Sequence, residues 1–159
     1  MKALNLAVLS IEHFKEIRRW RDEQRDILRT KVDMEPRDYR RLLIDDECKR
    51  YANENHLYGI SHLGRFIAFG GLTHIKWAND HATSAELSFI CGYPELYEAA
   101  FRFHLAVSSD MWFSDSYYGG EVLISETYPH RERHMRIMEE CGFRIKSICH
   151  RLTKENYVG

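Results

Sequence analysis

The chain has 159 residues, a length that allows a single domain with a sizeable core and requires neither disulfides nor a metal for folding. Its 23 basic and 24 acidic residues nearly cancel, which excludes broad electrostatic capture of nucleic acid, an anionic membrane or a polycation. No apolar run approaches the ~18 residues of a membrane span, and the N-terminus lacks a secretory pattern, so we expect a cytoplasmic location.

The first third of the chain predicts one strand and two helices. Residues 1–9 alternate loosely and suit a strand, and Ser10 is placed to cap a helix that runs to about Asp26. A second helix follows Pro36, because proline is favoured in the first turn of a helix.

The middle of the chain predicts a run of strands. The predicted strands and turns, in order, are residues 57–63, Leu63-Gly64, residues 65–77, Asn79-Asp80 and residues 85–91. Gly70-Gly71 interrupts the second of these strands and marks either a bulge or a close approach to the backbone.

The last third predicts a buried helix followed by a strand, a helix and a strand. Apolar residues lie on two sides of a helix that begins at Pro94, so this helix should pack in the interior against a sheet. The remaining predicted elements, in order, are a short strand from Gly119 through Ser125, a helix from Pro129 to the stop at Gly142, and a long strand at residues 143–152. This order predicts an α/β fold with a mixed sheet and no internal domain boundary.

The chain contains four cysteines and no Cys-x-x-Cys pair. They are Cys48, Cys91, Cys141 and Cys149. We interpret them as reduced, partly buried thiols that pack as small hydrophobes, rather than as disulfides or metal ligands.

Three segments carry a resemblance to a known family. They are the helix stop and following strand at Arg136 to Arg144, the Trp20-Arg21-Asp22 sequence in the first helix, and the strand at Ala85 to Ile90. With these segments and its order of elements, the chain resembles GNAT-type N-acyltransferases, most closely the RimJ/RimL-like and amino-sugar N-acetyltransferase branch. The resemblance implies one GNAT-like domain over residues 1–159, with a splayed, mostly antiparallel mixed sheet of about six strands flanked by four helices.

The resemblance also implies that acetyl-CoA, or another acyl-CoA, lies along residues 85–91 as a co-substrate. Its pantetheine would pair with the backbone of this strand, because an unpaired strand edge offers N–H and C=O groups to an amide-bearing ligand. The cofactor contacts implied on this strand are Leu87, Phe89, Ile90 and Cys91.

Glu86 lies on the same strand, where the resemblance places a carboxylate facing the acceptor. An alkyl amine, with a pKa of about 10.4, is protonated at neutral pH, so a base must remove a proton before the nitrogen attacks the thioester. We therefore predict that Glu86 is the general base in a ternary complex without a covalent intermediate. A solvent-facing strand residue is the alternative interpretation.

The segment after this strand departs from the family pattern. GNAT enzymes have a glycine-containing loop there, whose N–H groups cradle the CoA pyrophosphate. In the corresponding segment, Gly92 to Ala99, only Ala99 matches the loop, although Tyr97 and Glu98 occupy phosphate-facing positions. The carboxylates of Glu95 and Glu98 would repel a dianion, which predicts weak, displaced or absent pyrophosphate binding.

The last helix departs from the pattern as well. Arg131 and His134 stand where the family has asparagine and serine, and Met138 stands where many relatives have a tyrosine that protonates the departing thiolate. Water or Ser125, at the end of the preceding strand, would have to supply that proton. Arg131 and Arg133 offer a compensating cation for a phosphate.

Two side-chain groups have competing interpretations. His130 and His134 lie four residues apart on one helix face, but no third ligand is indicated, so we predict a polar helix face and no metal. Trp20, Arg21 and Arg25 are the predicted acceptor-binding residues, since arginine can hold a phosphate or carboxylate through its planar fork. For Trp20 alone, a core position beside a surface Arg21 is the alternative.

The resulting prediction is an acyl-CoA-dependent N-acetyltransferase that acts on a primary amine of a small molecule, nucleotide sugar or modified nucleotide. Two alternatives stay open: a non-catalytic GNAT-like binding or assembly module, and an acyltransferase whose donor is not CoA. No membrane or nucleic acid is indicated as a partner. An exposed sheet edge is compatible with a homodimer.

Overall fold

A computed structural model describes residues 3–24, 55–127 and 130–146, and the structural statements below refer to these ranges. The strands are β1 (Leu4–Ala7), β2 (His56–His62), β3 (Arg65–Ala78), β4 (His81–Cys91) and β5 (Val122–Ile124). The helices are α1 (Ile11–Glu23), α2 (Tyr97–Phe113), which follows a short 3₁₀ turn at Pro94–Leu96, and α3 (Glu132–Glu140). None of these helices is long and apolar enough to span a membrane.

The five strands form one mixed sheet in the order β1-β2-β3-β4-β5. The first three pairings are antiparallel and the last, between β4 and β5, is parallel. The two predicted hairpin turns are confirmed: Leu63-Gly64 and Asn79-Asp80 connect consecutive strands, and Leu63, Gly64 and Asn79 adopt the left-handed backbone that such turns require.

The sheet is splayed at its β4 edge. β5 pairs with β4 only from Ser84 to Glu86, whereas β4 continues to Cys91 in register with β3. Residues 87–91 of β4 therefore have no strand partner on the β5 side within the described ranges. This geometry confirms the predicted splayed, mostly antiparallel α/β sheet.

The number of elements differs from the prediction of about six strands and four helices. The described ranges contain five strands and three α-helices. The predicted final strand at residues 143–152 is wrong for residues 143–146, which are irregular, and its remainder lies outside the described residues. The predicted helix after Pro36 and the predicted helix start at Pro129 also lie outside them, and α1 ends at Glu23 rather than near Asp26.

Helices pack against both faces of the sheet. On one face α1 contributes Phe14, Ile17 and Trp20 to a cluster with Phe69 and Ile90. On the other face α2 packs one side on β2 and β3 and its other side on α3, as the apolar residues on two sides of this helix predicted. The sheet is therefore the central layer between α1 and the α2–α3 pair.

Gly70-Gly71 marks a close approach, and no bulge occurs at this pair. A Cβ on Gly70 would lie 2.8 Å from His104 Nδ1, and a Cβ on Gly71 would lie 2.1 Å from the His56 carbonyl oxygen. Gly71 also has a φ of +142°, which side-chain-bearing residues rarely adopt. Both glycines are therefore required for packing between β3 and its neighbours.

The cysteine prediction is confirmed at one position and wrong at another. Cys91 is a buried free thiol, and burial raises its pKa. Cys141 is also a free thiol but is exposed, because it follows the last turn of α3. Cys48 and Cys149 lie outside the described residues.

Candidate active site

The unpaired segment of β4 presents alternate backbone groups to the gap beside β5. The Gly92 N–H donates to the Ile67 carbonyl oxygen at 3.0 Å, so Gly92 faces β3. Backbone groups of a strand point to alternate sides, which places the N–H and C=O of Leu87, Phe89 and Cys91 on the open side. These are three of the four predicted cofactor contacts on this strand.

Ile90 is the exception among those four predicted contacts. By the same alternation its backbone faces β3, and its side chain is buried in the α1-side cluster. A cofactor in the gap would meet the backbone of the neighbouring residues first, and the Ile90 contact stays a prediction. The sequence predicts that the backbone groups of successive residues in this strand point to alternate sides. It does not show which residues point towards β3 and which towards the gap.

Gln24 partly closes the far end of this open segment. Its side-chain Nε2 donates to the Cys91 carbonyl oxygen at 2.9 Å. Gln24 is the C-cap residue of α1, so this hydrogen bond ties the end of α1 to the end of β4. The Leu87 and Phe89 backbone groups remain for a ligand in the gap.

Glu86 lies where the two strands separate. It is the last β4 residue that pairs with β5, opposite Ile124, and its side chain is 33% exposed. Because Glu86 and Ile90 are four residues apart on one strand, both side chains lie on the α1 face. The carboxylate Oε2 lies 3.0 Å from His74 Nδ1.

A bulge in β3 brings His74 to that carboxylate. The register passes from Thr73–Glu86 to Lys76–Ser84, so two β3 residues, His74 and Ile75, stand opposite one β4 residue. His74 has a φ of 50°, a left-handed conformation that is uncommon outside glycine. Sequence reasoning missed His74, because a regular register places its side chain on the opposite face from Glu86.

Ser125 follows β5 directly. It comes after Ile124, the partner of Glu86, and it is half-buried. The residue therefore lies at the point where β5 leaves β4, which is compatible with its predicted role as proton donor to a leaving thiolate. That role stays a prediction.

The start of α2 differs from a glycine-rich phosphate cradle. The Leu96 N–H donates to the Tyr93 carbonyl oxygen, and the Tyr97 N–H donates to the Pro94 carbonyl oxygen. These 3₁₀ hydrogen bonds occupy two amides that would otherwise be available to an anion. Ala99, the only match to the family loop, is the third residue of α2.

Arginines neutralise the carboxylate that was expected to repel phosphate. Glu98 Oε1 lies 3.1 Å from Arg102 Nη2, and Glu98 Oε2 lies 3.2 Å from Arg133 Nη2. The hydrogen bond from Arg102, followed by that from Arg133, lowers the pKa of Glu98. The repulsion predicted for Glu98 is therefore offset in the folded chain, by side chains from α2 and α3.

Tyr97 is the centre of a polar cluster between α2 and α3. Its hydroxyl accepts a hydrogen bond from Arg131 Nη2 at 3.1 Å and contacts His134 Nδ1. Its ring also packs against Phe89 on the open segment of β4, with ring centroids 5.8 Å apart. The predicted phosphate-facing residues Tyr97, Arg131 and His134 thus lie together, beside the gap.

Met138 lies in the core and is 7% exposed. It packs with Phe101, Leu105 and Ile137 where α3 covers α2. A methionine there cannot donate a proton, and its burial gives it a packing role.

Two buried histidines have strongly lowered pKa values. Burial lowers the pKa of His104 to about 3, with a further contribution from His134. Burial, and then Arg131, lower the pKa of His134 to about 3. Both imidazoles are therefore neutral in the folded protein across the physiological range.

We expect acid to destabilise the fold through these histidines. In the unfolded chain they bind protons below about pH 6.5, whereas in the folded chain they stay neutral until about pH 3, so the free energy of unfolding falls as pH falls through this interval. Each contributes a slope of up to about 1.4 kcal/mol per pH unit. Urea unfolding between pH 7 and pH 4 should show a weaker pH dependence for His134→Gln than for the unmodified chain. If the free energy of unfolding had the same pH dependence in both proteins, the lowered pKa of His134 would be contradicted.

Two of the three predicted acceptor-binding residues, Trp20 and Arg21, are buried. Trp20 is 1% exposed and Arg21 is 8% exposed. Trp20 packs so closely on Gly92 that a Cβ there would lie 2.0 Å from the indole, which confirms the core alternative for Trp20. The surface position expected for Arg21 is wrong. Arg25 lies outside the described residues.

His130 and His134 do not form a metal site in the described part of the chain. His134 is buried against Tyr97 and Phe101, whereas His130 precedes the helix and is exposed. Within the described ranges, no group of three His, Cys, Asp or Glu side chains is arranged to hold a metal ion.

Solved structures share this fold. No family model and no curated protein matches the chain. It is similar to spermidine N-acetyltransferase from Vibrio cholerae in complex with CoA and spermine, with a TM-score of 0.69 and 14% identity over 92% of this chain and 84% of that chain. A dodecameric structure of spermidine N-acetyltransferase from Vibrio cholerae gives 0.67 and 16% identity, over 92% and 82% of the two chains.

A possible acetyltransferase from Clostridium difficile 630 is similar over a larger share of both chains. Its TM-score is 0.68 at 9% identity, and the match covers 96% of this chain and 98% of that chain. The chain therefore has the GNAT-like fold that the sequence resemblance implied. These structures do not distinguish the RimJ/RimL-like or amino-sugar branch, which stays a prediction.

Proposed function

We propose that the chain is an acyl-CoA-dependent N-acetyltransferase that acts on a primary amine of a small molecule. The observation that carries this proposal is the open segment of β4, where the backbone of Leu87 and Phe89 faces a gap directly beyond Glu86. A pantetheine arm carries two amides, which suits it to pairing with such an edge. Its thioester would then lie beside the part of β4 that is one or two residues from Glu86, the predicted base.

The polar cluster at the start of α2 supports a displaced phosphate site. Arg131 and Arg133 both lie beside Tyr97, and Arg133 also pairs with Glu98. In this proposal they take the place of the missing glycine loop and hold the CoA phosphates through charge-assisted hydrogen bonds.

The proposed acceptor is a small molecule with a primary amine. Glu86 faces the α1 side of the sheet, so an amine would approach from that side. A related fold has been solved with CoA and spermine, which makes polyamines the first acceptors to test, followed by amino-sugar nucleotides. A homodimer, or a larger assembly, also stays a proposal.

Ligand-induced stabilisation tests the proposal. Acetyl-CoA at 100 times its dissociation constant should add about 2.7 kcal/mol, which raises the melting temperature by roughly 5–11 °C in a chain of this size. Transfer to spermidine, measured by mass spectrometry of the acetylated product, would establish the activity. Stabilisation without transfer to any amine would favour the binding module, and neither result at millimolar acetyl-CoA would favour a different donor.

Charge reversal tests the proposed phosphate site separately. Arg131→Glu should abolish the acetyl-CoA shift, because it removes a cation and adds a negative charge beside Tyr97. Arg144→Glu is the matched control, because it reverses an exposed arginine just beyond α3 whose Nη1 donates to the Glu139 and Phe143 carbonyl oxygens. Equal shifts for both variants would contradict the displaced site.

A further inference from the structure

His74 and Glu86 form a hydrogen-bonded pair on the α1 face of the sheet, at the level where β5 leaves β4. The Nδ1 atom of His74 lies 3.0 Å from Glu86 Oε2. An ionised carboxylate only accepts hydrogen bonds, so Nδ1 must carry the hydrogen. In the neutral imidazole this fixes the tautomer and leaves the lone pair on Nε2.

The pair depends on two irregularities of the local backbone, a bulge in β3 and the positive φ of His74. A regular β3–β4 register would put His74 opposite Ala85 and away from Glu86. The extra residue in β3 and the left-handed φ of His74 at 50° reverse that placement. A second irregularity restores the register by Trp77–Ala82, so the distortion is confined to the neighbourhood of Glu86. Left-handed backbone at a non-glycine residue is costly and clusters at functional sites.

The imidazole is also accessible. The His74 side chain is 72% exposed, whereas Glu86 is 33% exposed. Among the described residues, no hydrogen bond to His74 Nε2 is found. An amine that approaches from the α1 side of the sheet can therefore reach Nε2 more readily than the less exposed carboxylate of Glu86.

We propose that His74 Nε2 accepts the proton from the acceptor amine and that Glu86 orients the imidazole and stabilises its cation. This inference rests on the proposed acetyltransferase function and assigns its base. In other enzymes, too, a carboxylate orients an imidazole, and that imidazole removes a proton from the nucleophile.

The proposed step balances as follows. The ammonium form of the acceptor first gives one proton to solvent. The neutral nitrogen then forms a bond to the thioester carbonyl carbon and loses a second proton to His74 Nε2. The C–S bond breaks, and the thiolate of CoA leaves with its electron pair. The imidazolium then returns its proton to the thiolate or to water, which gives an amide, free CoA and neutral His74.

Two substitutions at His74 separate proton transfer from positioning. His74→Asn keeps an N–H group near the position of Nδ1 and tolerates left-handed backbone, but it has no nitrogen that can accept a proton. His74→Gly suits the positive φ and leaves space for free imidazole. We expect both to lower kcat for acetyl transfer to spermidine by about 100-fold or more. Added imidazole should restore a large part of the rate in His74→Gly and none in His74→Asn.

His81 supplies a matched control. Its Nε2 lies 2.6 Å from Glu121 Oε1, so it is another exposed imidazole–carboxylate pair, at the opposite end of β4. His81→Gln should keep the full rate. Melting temperatures with and without acetyl-CoA would show that each variant is folded and still binds the donor.

The outcomes are distinct. If the unmodified chain transfers no acetyl group, the proposed function fails, and the assignment of His74 fails with it. If the unmodified chain is active and His74→Asn is equally active, only the His74 assignment is wrong. A slow His74→Gly variant that imidazole does not restore would also overturn the assignment and reduce His74 to a residue that positions Glu86.

Discussion

Replacement of Glu86 by Gln is expected to lower kcat for amine acetylation by about 100- to 10,000-fold, the range associated with loss of a general base or of the carboxylate that supports one. The amide keeps the size of the side chain but removes its charge. His74 Nδ1 would then donate to a neutral oxygen, which stabilises the imidazolium far less. The rate constant should be measured with saturating acetyl-CoA and spermidine.

Binding of the donor should not change in this variant. Glu86 precedes the open segment at Leu87 and Phe89, and it is remote in sequence from the arginines of α3. The stabilisation by acetyl-CoA should therefore equal that of the unmodified chain. Glu121→Gln is the control, because Glu121 is 57% exposed and pairs with His81 away from the gap. Full activity of Glu86→Gln would refute the assigned carboxylate.

Replacement of Gly71 by Ala is expected to cost about 2–6 kcal/mol of stability, the sum of backbone strain and overpacking. The new Cβ would lie 2.1 Å from the His56 carbonyl oxygen, and the residue would hold a φ of +142°. Relief requires β2 and β3 to separate. Urea unfolding at pH 7 measures the loss directly.

Gly64→Ala provides the comparison that separates strain from packing. Gly64 has a φ of +80°, but a Cβ there meets nothing within 4 Å. Its cost should be limited to about 1–2 kcal/mol of left-handed strain. If Gly71→Ala is no more destabilising than Gly64→Ala, the close approach between β2 and β3 does not constrain the sheet.

Local signals in the sequence were sufficient for the hairpins and for the central helix. A two-residue turn such as Asn79-Asp80 fixes both the ends and the initial register of its strands, and the apolar residues on both sides of α2 require partners on both sides. The strand at residues 85–91 followed from its own pattern, and the gap beside it followed from the family resemblance. The hairpins and the central helix depend on residues that are close in the sequence, and the gap depends on the order of elements along the whole chain.

Non-local features were not predictable from the sequence. The bulge at His74 has no glycine to mark it, so the pairing with Glu86 could not be read from a regular register. The expected repulsion by Glu98 omitted Arg102 and Arg133, which meet it only when α2 and α3 pack together. Arg21 is buried, whereas the alternative interpretation of Trp20 placed Arg21 at the surface, where arginine usually lies.

Pairing on one side only explains how residues 87–91 of β4 can be both stable and available to a ligand. Along residues 87–91, β4 keeps its full antiparallel pairing with β3, while its other edge has no strand partner within the described ranges. Pairing on one side holds the segment in place. The other side keeps the hydrogen-bonding groups that a pantetheine arm needs.

Residue-resolved amide hydrogen exchange with and without CoA tests this central claim most directly. CoA at a millimolar concentration should slow exchange at Leu87 and Phe89, whose N–H groups face the gap, and leave Ser88 and Ile90, which pair with β3, largely unchanged. Unchanged exchange at Leu87 and Phe89 would contradict the account, because the thioester donor would then have no place on β4.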